Sequence, residues 1–344
     1  MKYSTNYVFY PVNRALEQSM ENYINAQADS VAATARPDTT VTVPDNFIYT
    51  RGNFEQHRYN SNILGAAQDK FETESAVNKR AQAPLAWATN QNHLGNVLAS
   101  QGQQLRDEAL YKKAIVAFES ALEEFSQEKT PLEWAATQYN YGTAAQALGR
   151  QLSDAKFLKI ATDAYTNALL VWSKEKNPLV WALTMFQLGA CFHTHGLLLK
   201  GNRTLQKSVV AYKNALTIFD ADNHALELSA THNNLGVVLH HLAESEENSE
   251  RLEEALKAYE KGLTVCMEQQ LPIHLAVLCK VNIATTRAVL AEFTKDSVMA
   301  EEVADEFEII IECFSDSLQP LCLKHCEEKM KEAKLLANSI SISH

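Results

Sequence analysis

No stretch of this chain approaches 18 consecutive apolar residues, so no transmembrane helix is expected. The opening Met1-Lys2-Tyr3-Ser4-Thr5-Asn6-Tyr7 leads into no apolar core of signal-peptide length, which makes a cytoplasmic protein the expectation. Cysteine is missing until Cys191; Cys266, Cys279, Cys313, Cys322 and Cys326 follow, several on predicted buried helix faces. They read as free thiols of a reducing compartment. Paired short-spaced zinc-ribbon cysteines are also missing. Cys322, His325 and Cys326, with Cys313 upstream, offer metal-ligand types, yet Cys322 and Cys326 simply stand one turn apart on a terminal helix. A phosphate loop, a nucleophile elbow and an HExxH motif are all lacking, so neither an enzyme nor a cofactor is expected. Clustered basic residues are lacking too. The net charge is −11, and residues 225–344 carry 10 Lys/Arg against 21 Asp/Glu, which disfavours nucleic acid as a ligand. The acidic loop Glu244–Glu254 and the helix Glu301–Glu312 read as a solvated face or as a docking surface for a basic partner.

What the chain has is a ladder. Pro84-Leu85-Ala86-Trp87, Pro131-Leu132-Glu133-Trp134 and Pro178-Leu179-Val180-Trp181 recur every 47 residues. Leu94-Gly95, Tyr141-Gly142, Leu188-Gly189 and Leu235-Gly236 keep the same spacing, and Ile283-Ala284 follows after 48. Such self-similarity predicts a stack of one supersecondary unit. Trp87, Leu94, Gly95 and Leu98 fall on one stripe of a first helix. A second helix carries Ala114, Ala117, Phe118, Ala121, Leu122 and Phe125, a set that returns as Ala161, Ala164, Tyr165, Ala168, Leu169 and Trp172. Two further copies run from Ser208 to Phe219 and from Ala255 to Cys266. Small residues let helix axes approach and aromatics fill the gaps, each aromatic contributing roughly 1.5–3 kcal/mol of transfer free energy.

The boundaries follow from backbone chemistry. Proline suits the first helical turn, where its missing N–H has no intrahelical partner. Thr130 and Asn177 stand as candidate N-caps, and Thr130 with Glu133 has capping-box spacing. Gly102, Gly149 and Gly196 are expected to end the first helices in a left-handed conformation. Ala243 replaces that glycine, and Ala225 the proline, in the fourth copy.

The Leu-Gly pair of the first helix and the Ala, aromatic, Ala series of the second, in five consecutive copies, resemble the tetratricopeptide repeat. The resemblance covers about residues 84–319 and implies an all-α, right-handed α-solenoid of antiparallel helix hairpins, divided as 84–130, 131–177, 178–224, 225–271 and 272–319. The family's ordinary period is about 34 residues. The extra length is expected in a long turn inside the hairpin, where Gly102 lies 12 residues before Ala114, and in a longer start to each first helix.

Residues 1–52 are expected to form a helix over Asn13 to Ala35 and an extended arm marked by Pro37 and Pro44. A helix from about Asn53 to Lys79, within 53–83, places Ala67 and Phe71 47 residues before Ala114 and Phe118, so it reads as a degenerate, capping second helix. Residues 320–344 supply a last helix, Pro320 to Ala337, with Lys324, Lys329, Lys331 and Lys334 on a solvated side, and a fraying tail from Ser339.

In the family that this pattern resembles, first helices line a concave face and grip an extended peptide or a helix. The matching residues are Asn92, His93 and Asn96; Tyr139, Asn140, Thr143 and Gln146; Phe186, Gln187, His193 and Thr194; Asn233, Asn234, His240 and His241; and Asn282 and Thr285. Amides offer both donor and acceptor, which suits the N–H and C=O groups of an extended main chain. The inferred groove contains neither Lys nor Arg, so a clamp for a C-terminal carboxylate is not expected. His193 and His240, 47 apart, raise the question of a shared metal, and the repeat pattern puts no carboxylate beside them. The function expected is a protein–protein interaction scaffold that binds a partner peptide or helix. The alternative is a regulatory protein whose N-terminal arm occupies the groove until a partner displaces it.

Overall fold

The computed structural model describes residues 61–77, 79–315, 318 and 320–342. The helix and arm expected over 1–52, and residues 53–60 of the next helix, lie outside the described residues. Among the described residues the chain is all-helical, with twelve α-helices and no strand. They fall into two compact units, residues 61–201 and 202–342.

The first unit holds α1 (Ser61–Val77), α2 (Pro84–Leu105), α3 (Glu108–Leu122), α4 (Pro131–Leu152), α5 (Ala155–Ala168) and α6 (Pro178–Leu199). From α1 to α6, each helix packs on the next within this unit, and α4 also touches α2 and α6. Its core runs through Leu98, Tyr111, Phe118, Leu148, Leu158 and Tyr165. Leu64, Ala67 and Phe71 of α1 bury against Val97 of α2. The second unit holds α7 (Asn202–Ala215), α8 (Ala225–Glu246), α9 (Ser249–Glu268), α10 (Ile273–Thr294), α11 (Ser297–Phe314) and α12 (Pro320–Ile342). Val277, Val281, Phe307, Ile310 and Cys326 form a core shared by α10, α11 and α12. The last helix continues through Ile342 rather than stopping at Ala337, and the Ser339 hydroxyl donates to the Leu336 carbonyl at 2.9 Å. Lys329 is not on a solvated side: it is buried and donates to Glu332 at 2.6 Å.

The Leu-Gly and aromatic positions explain each other. A Cβ on Gly95 would stand 2.6 Å from the Phe118 ring, and one on Gly236 would stand 2.6 Å from the Tyr259 ring. At Gly142 the ring of Tyr165 would lie 3.0 Å away. Carbon atoms do not approach so closely without displacement, so a bare glycine on the first helix is what admits the buried aromatic of the second.

The glycines expected to close the first helices do something else. Helices α2, α4, α6, α8 and α10 run past them and end at Arg106, Ser153, Lys200, Glu247 and Lys295, all left-handed with φ between 51° and 53°. No glycine among the described residues has a positive φ. Gly102 instead sits four residues earlier, and its carbonyl accepts the N–H groups of Arg106 and, at 3.0 Å, Asp107. Gly149 and Gly196 accept in the same way, and so does Ala243. A Cβ on Gly149 would meet the Leu158 backbone nitrogen at 2.9 Å. Glycine is there for close approach of the next helix, not for its backbone freedom.

Only two residues therefore separate α2 from α3, α4 from α5, α8 from α9 and α10 from α11. The long hairpin turn expected between Gly102 and Ala114 is not present; that length is helix. The side-chain caps also lie elsewhere than expected. Thr130 and Asn177 make no capping bond to the helices they precede. The Thr130 hydroxyl instead accepts the Ser126 N–H at 3.0 Å, holding the connection from α3 to α4. The capping carboxylates and amide are Asp107, Asp154, Asn248 and Asp296, bonded to the N–H groups of Ala109, Lys156, Glu250 and Met299 at 2.7–3.0 Å.

Helix α10 is long and apolar enough to cross a membrane, with a mean hydropathy of 1.4 over its best window, but 67% of that window is buried in the protein. A core helix satisfies the same criterion.

Gly95→Ala and Gly236→Ala should each cost about 1–3 kcal/mol of unfolding free energy in urea titrations, because Phe118 and Tyr259 have nowhere to retreat. Ser153→Gly should raise it by about 0.5–1 kcal/mol by relieving a left-handed non-glycine residue. An unchanged midpoint for Gly95→Ala would show that the aromatic ring yields its place freely.

Candidate functional site

In the first unit the expected groove residues sit on α2, α4 and α6, and most of them are enclosed. Asn92, His93 and Asn96 are buried. Asn140, half-buried, donates from Nδ2 to Asn92 Oδ1 at 3.2 Å, so these two amides tie α4 to α2. Thr143 and Gln146 are buried beside Tyr165, whose hydroxyl donates to Gln146 Oε1 at 2.6 Å and lies 3.2 Å from Thr143 Oγ1. Tyr139 is half-buried, its ring 5.6 Å from that of Tyr165 and 5.8 Å from Trp172. Phe186 and His193 are buried and Gln187 half-buried.

The second unit carries the same offsets on α8 and α10. Asn282 donates from Nδ2 to Asn233 Oδ1 at 2.7 Å, the counterpart of the Asn140–Asn92 bond. Asn234 is fully enclosed at 0% exposure, and neither of its amide atoms has a hydrogen-bond partner; Asn233 Nδ2 has none either. An unpaired buried polar group of this kind costs about 1–3 kcal/mol. His240 Nδ1 lies 2.8 Å from Thr286 Oγ1, its Nε2 lies 3.7 Å from Glu244, and its ring meets that of His241 edge-on at 5.9 Å. Thr285 Oγ1 lies 3.1 Å from His325 Nε2 on α12.

Sequence reasoning missed Thr286, Glu244 and His325 as members of this polar cluster. One of them was accessible in principle: Glu244 is one turn after His240. Their meeting across α8, α10 and α12 is tertiary and carries no local signal.

Burial dominates the histidines. His93 lies against the Phe71 ring at 5.1 Å, and desolvation, with the charge of Lys70 adding, lowers its pKa to about 4. Desolvation, aided by Arg150, lowers His193 to about 3, and with Lys261 it lowers His232 to about 4. These rings are neutral near pH 7. Among the described residues no group of three or more His, Cys, Asp or Glu side chains is placed to hold a metal ion. The segment Glu244–Glu254 is not a loop: α8 ends at Glu246, α9 begins at Ser249, and Arg251 pairs with Glu246. On the acidic α11, Arg287 engages Glu302 and Glu306, and Lys334 engages Glu308 at 3.2 Å.

No family model matches the chain, and a search of curated proteins finds no match either.

His93 supplies a pH test. Its folded pKa is lowered, so the stability tied to its neutral form is complete above about pH 6.5 and is lost as pH falls toward 4. Unfolding free energy should drop on the order of 1–3 kcal/mol more between pH 7 and 4.5 in the native chain than in His93→Gln, measured by urea titration at each pH. Parallel curves for the two would show that His93 is solvated in the folded state.

Proposed function

We propose that this chain is a protein-interaction scaffold: a right-handed α-solenoid of antiparallel helix hairpins, similar to tetratricopeptide repeats, that holds an extended or helical segment of another protein against its first helices. The observation that carries this reading is the pair of half-buried amides Asn140 and Gln187, at the same offset on α4 and α6 and accessible enough to meet a ligand from solvent. A peptide main chain offers an N–H and a C=O on each residue, which is the complement of such an amide. Asn234 and Asn282 stand at the corresponding offset in the second unit, where both are buried. The 47-residue spacing of helix starts and of left-handed closures supports a serial build, in which one polar row recurs from hairpin to hairpin.

The buried neutral histidines contribute no charge, so such a site reads main chain and shape, not ligand charge. We assign it no catalytic step and no cofactor.

Random-peptide display on the full chain, followed by calorimetry with the enriched peptide, tests this reading. Asn140→Ala with Gln187→Ala should weaken that peptide at least about tenfold, a loss of roughly 1.4 kcal/mol, while the helical circular-dichroism signal stays that of the native chain. Equal affinity for the double variant, or no enrichment at all, would remove the amide row as the binding site.

A further inference from the structure

The exposed leucines of the first unit are not scattered. Leu105, Leu152 and Leu199 are the last residues of α2, α4 and α6, and they are 70%, 39% and 56% exposed. Leu198, beside the third, is 39% exposed. The turns do not need them, because left-handed closure falls on the following residues, Arg106, Ser153 and Lys200. Gln151 of α4 donates from Nε2 to the Arg106 carbonyl at 2.8 Å, so the ends of α2 and α4 are in contact. Helix α4 packs on α6 in turn. Single exposed apolar side chains are ordinary, but four along one edge form a ridge that folding leaves uncovered. The corresponding residues of α8 and its turn are Glu246 and Glu247, so the pattern stops with α6.

Positive charge edges the ridge. Arg106, Lys200 and Lys156, at the start of α5, are exposed and form no ion pair among the described residues. Lys112 and Lys159, by contrast, pair with Glu108 and Asp163. Asp107 and Asp154, the carboxylates of these turns, accept the Ala109 and Lys156 N–H groups as helix caps. An acidic amphipathic helix complements both the leucines and the cations. The chain carries such a segment ahead of the described residues. Within Asn13 to Ala35, Leu16, Met20, Tyr23 and Ile24 recur at helical spacing along one side, and Glu17, Glu21 and Asp29 outnumber Arg14. The described chain also begins beside the ridge. Gln91 donates to Ser75 Oγ at 3.1 Å, Phe71 lies against His93, and Leu64 packs on Val97. Helix α1 therefore runs antiparallel to α2, and Ser61 stands at the end nearer Leu105. Residues 36–60 can span about 80 Å when extended, well beyond the roughly 20 Å across three packed helices.

We propose that residues 13–35 dock in cis across the ends of α2, α4 and α6. Leu16, Met20, Tyr23 and Ile24 cover the leucine ridge, and Glu17 and Glu21 face Arg106, Lys156 and Lys200. This contact lies at the helix ends, apart from the amide row, and holds whether or not that row takes a peptide. Packed helices about 8–10 Å apart present the leucines at close to the spacing of residues i and i+7 of an α-helix, about 10.5 Å. Leu16 and Tyr23 have that separation, with Met20 between them and Ile24 beside the second. Residues 36–60 then form a loop anchored at both ends on one edge. Their tether makes the docking intramolecular, at an effective concentration on the order of millimolar.

An equal mixture of ordinary and isotope-labelled full chain, treated with a zero-length carbodiimide, tests this contact, because the reagent joins a carboxylate only to an amine that touches it. Peptide mass spectrometry should find Glu17 or Glu21 joined to Lys156 or Lys200, in pairs of like isotope only. Leu105→Asp with Leu152→Asp should cut that yield at least about fivefold and speed amide exchange over 13–35 to a similar extent. Exchange within α2 and α4 should not change, since both leucines are already exposed. Arg106→Glu with Lys200→Glu should also speed exchange over 13–35, and adding Glu17→Lys with Glu21→Lys should restore the slow rate. A merely structural role for these residues predicts no such rescue. Pairs of unlike isotope would give the ridge to a second copy of the chain. Slowed exchange at the three turns only on adding phosphatidylserine-containing vesicles would give it to a lipid surface. Either result, no cross-link to those lysines, or unprotected amides over 13–35 in the native chain would overturn the proposal.

Discussion

The contact between a helix glycine and the aromatic ring of the following helix sets the geometry on which the rest depends. Phe118 beneath Gly95, Tyr165 beneath Gly142 and Tyr259 beneath Gly236 occupy space that even one methyl group would close. Those rings are fully or almost fully buried, so the contact fixes how near two axes lie and leaves little tolerance. Everything polar on the first helices takes its position from that spacing. The Asn140–Asn92 and Asn282–Asn233 bonds join alternate helices, and such bonds form only when the helices lie within side-chain reach. Within each unit a core of packed rings thus holds a pair of amides in register.

Much of the fold was legible in the sequence because its determinants are local. Proline at a first turn, glycine beside a large apolar residue and the 0, 3, 4, 7, 8, 11 offsets of the second helices all depend on helical periodicity alone. What misled were residues whose usual role differs from their role here. Gly102 has the type expected of a left-handed closure, yet that conformation falls on Arg106, and Gly102 lies under the next helix, where a Cβ would stand 3.2 Å from the Tyr111 ring. Thr130 has the type and spacing of a cap, yet its hydroxyl serves a loop, while Asp107 and Asp154 cap the second helices. A residue type limits what a position can do, and its neighbours decide which option is taken.

The candidate site was legible in composition and opaque in pairing. The recurrence of Asn and Gln before the glycine marks a polar row, but it does not say that Asn92 and Asn140 spend bonds on each other while Asn234 spends none. His325 sits on the last helix with no periodic counterpart, so its place beside Thr285 follows only from packing. The thiols teach the same lesson. Cys266 looks like an ordinary small core residue until Ser229 of α8 is found 2.9 Å away.

The two-residue turns have a kinetic consequence. Arg106-Asp107, Ser153-Asp154, Glu247-Asn248 and Lys295-Asp296 reverse the chain with bonds drawn almost entirely from the residues around them. Closing such a turn brings together partners only a few tens of residues apart, so little loop entropy opposes it. Chains built from short-range contacts fold at the fast end of the single-domain range. A hairpin of this kind can close while later parts of the chain are still being synthesised, leaving its neighbour a finished surface on which to assemble.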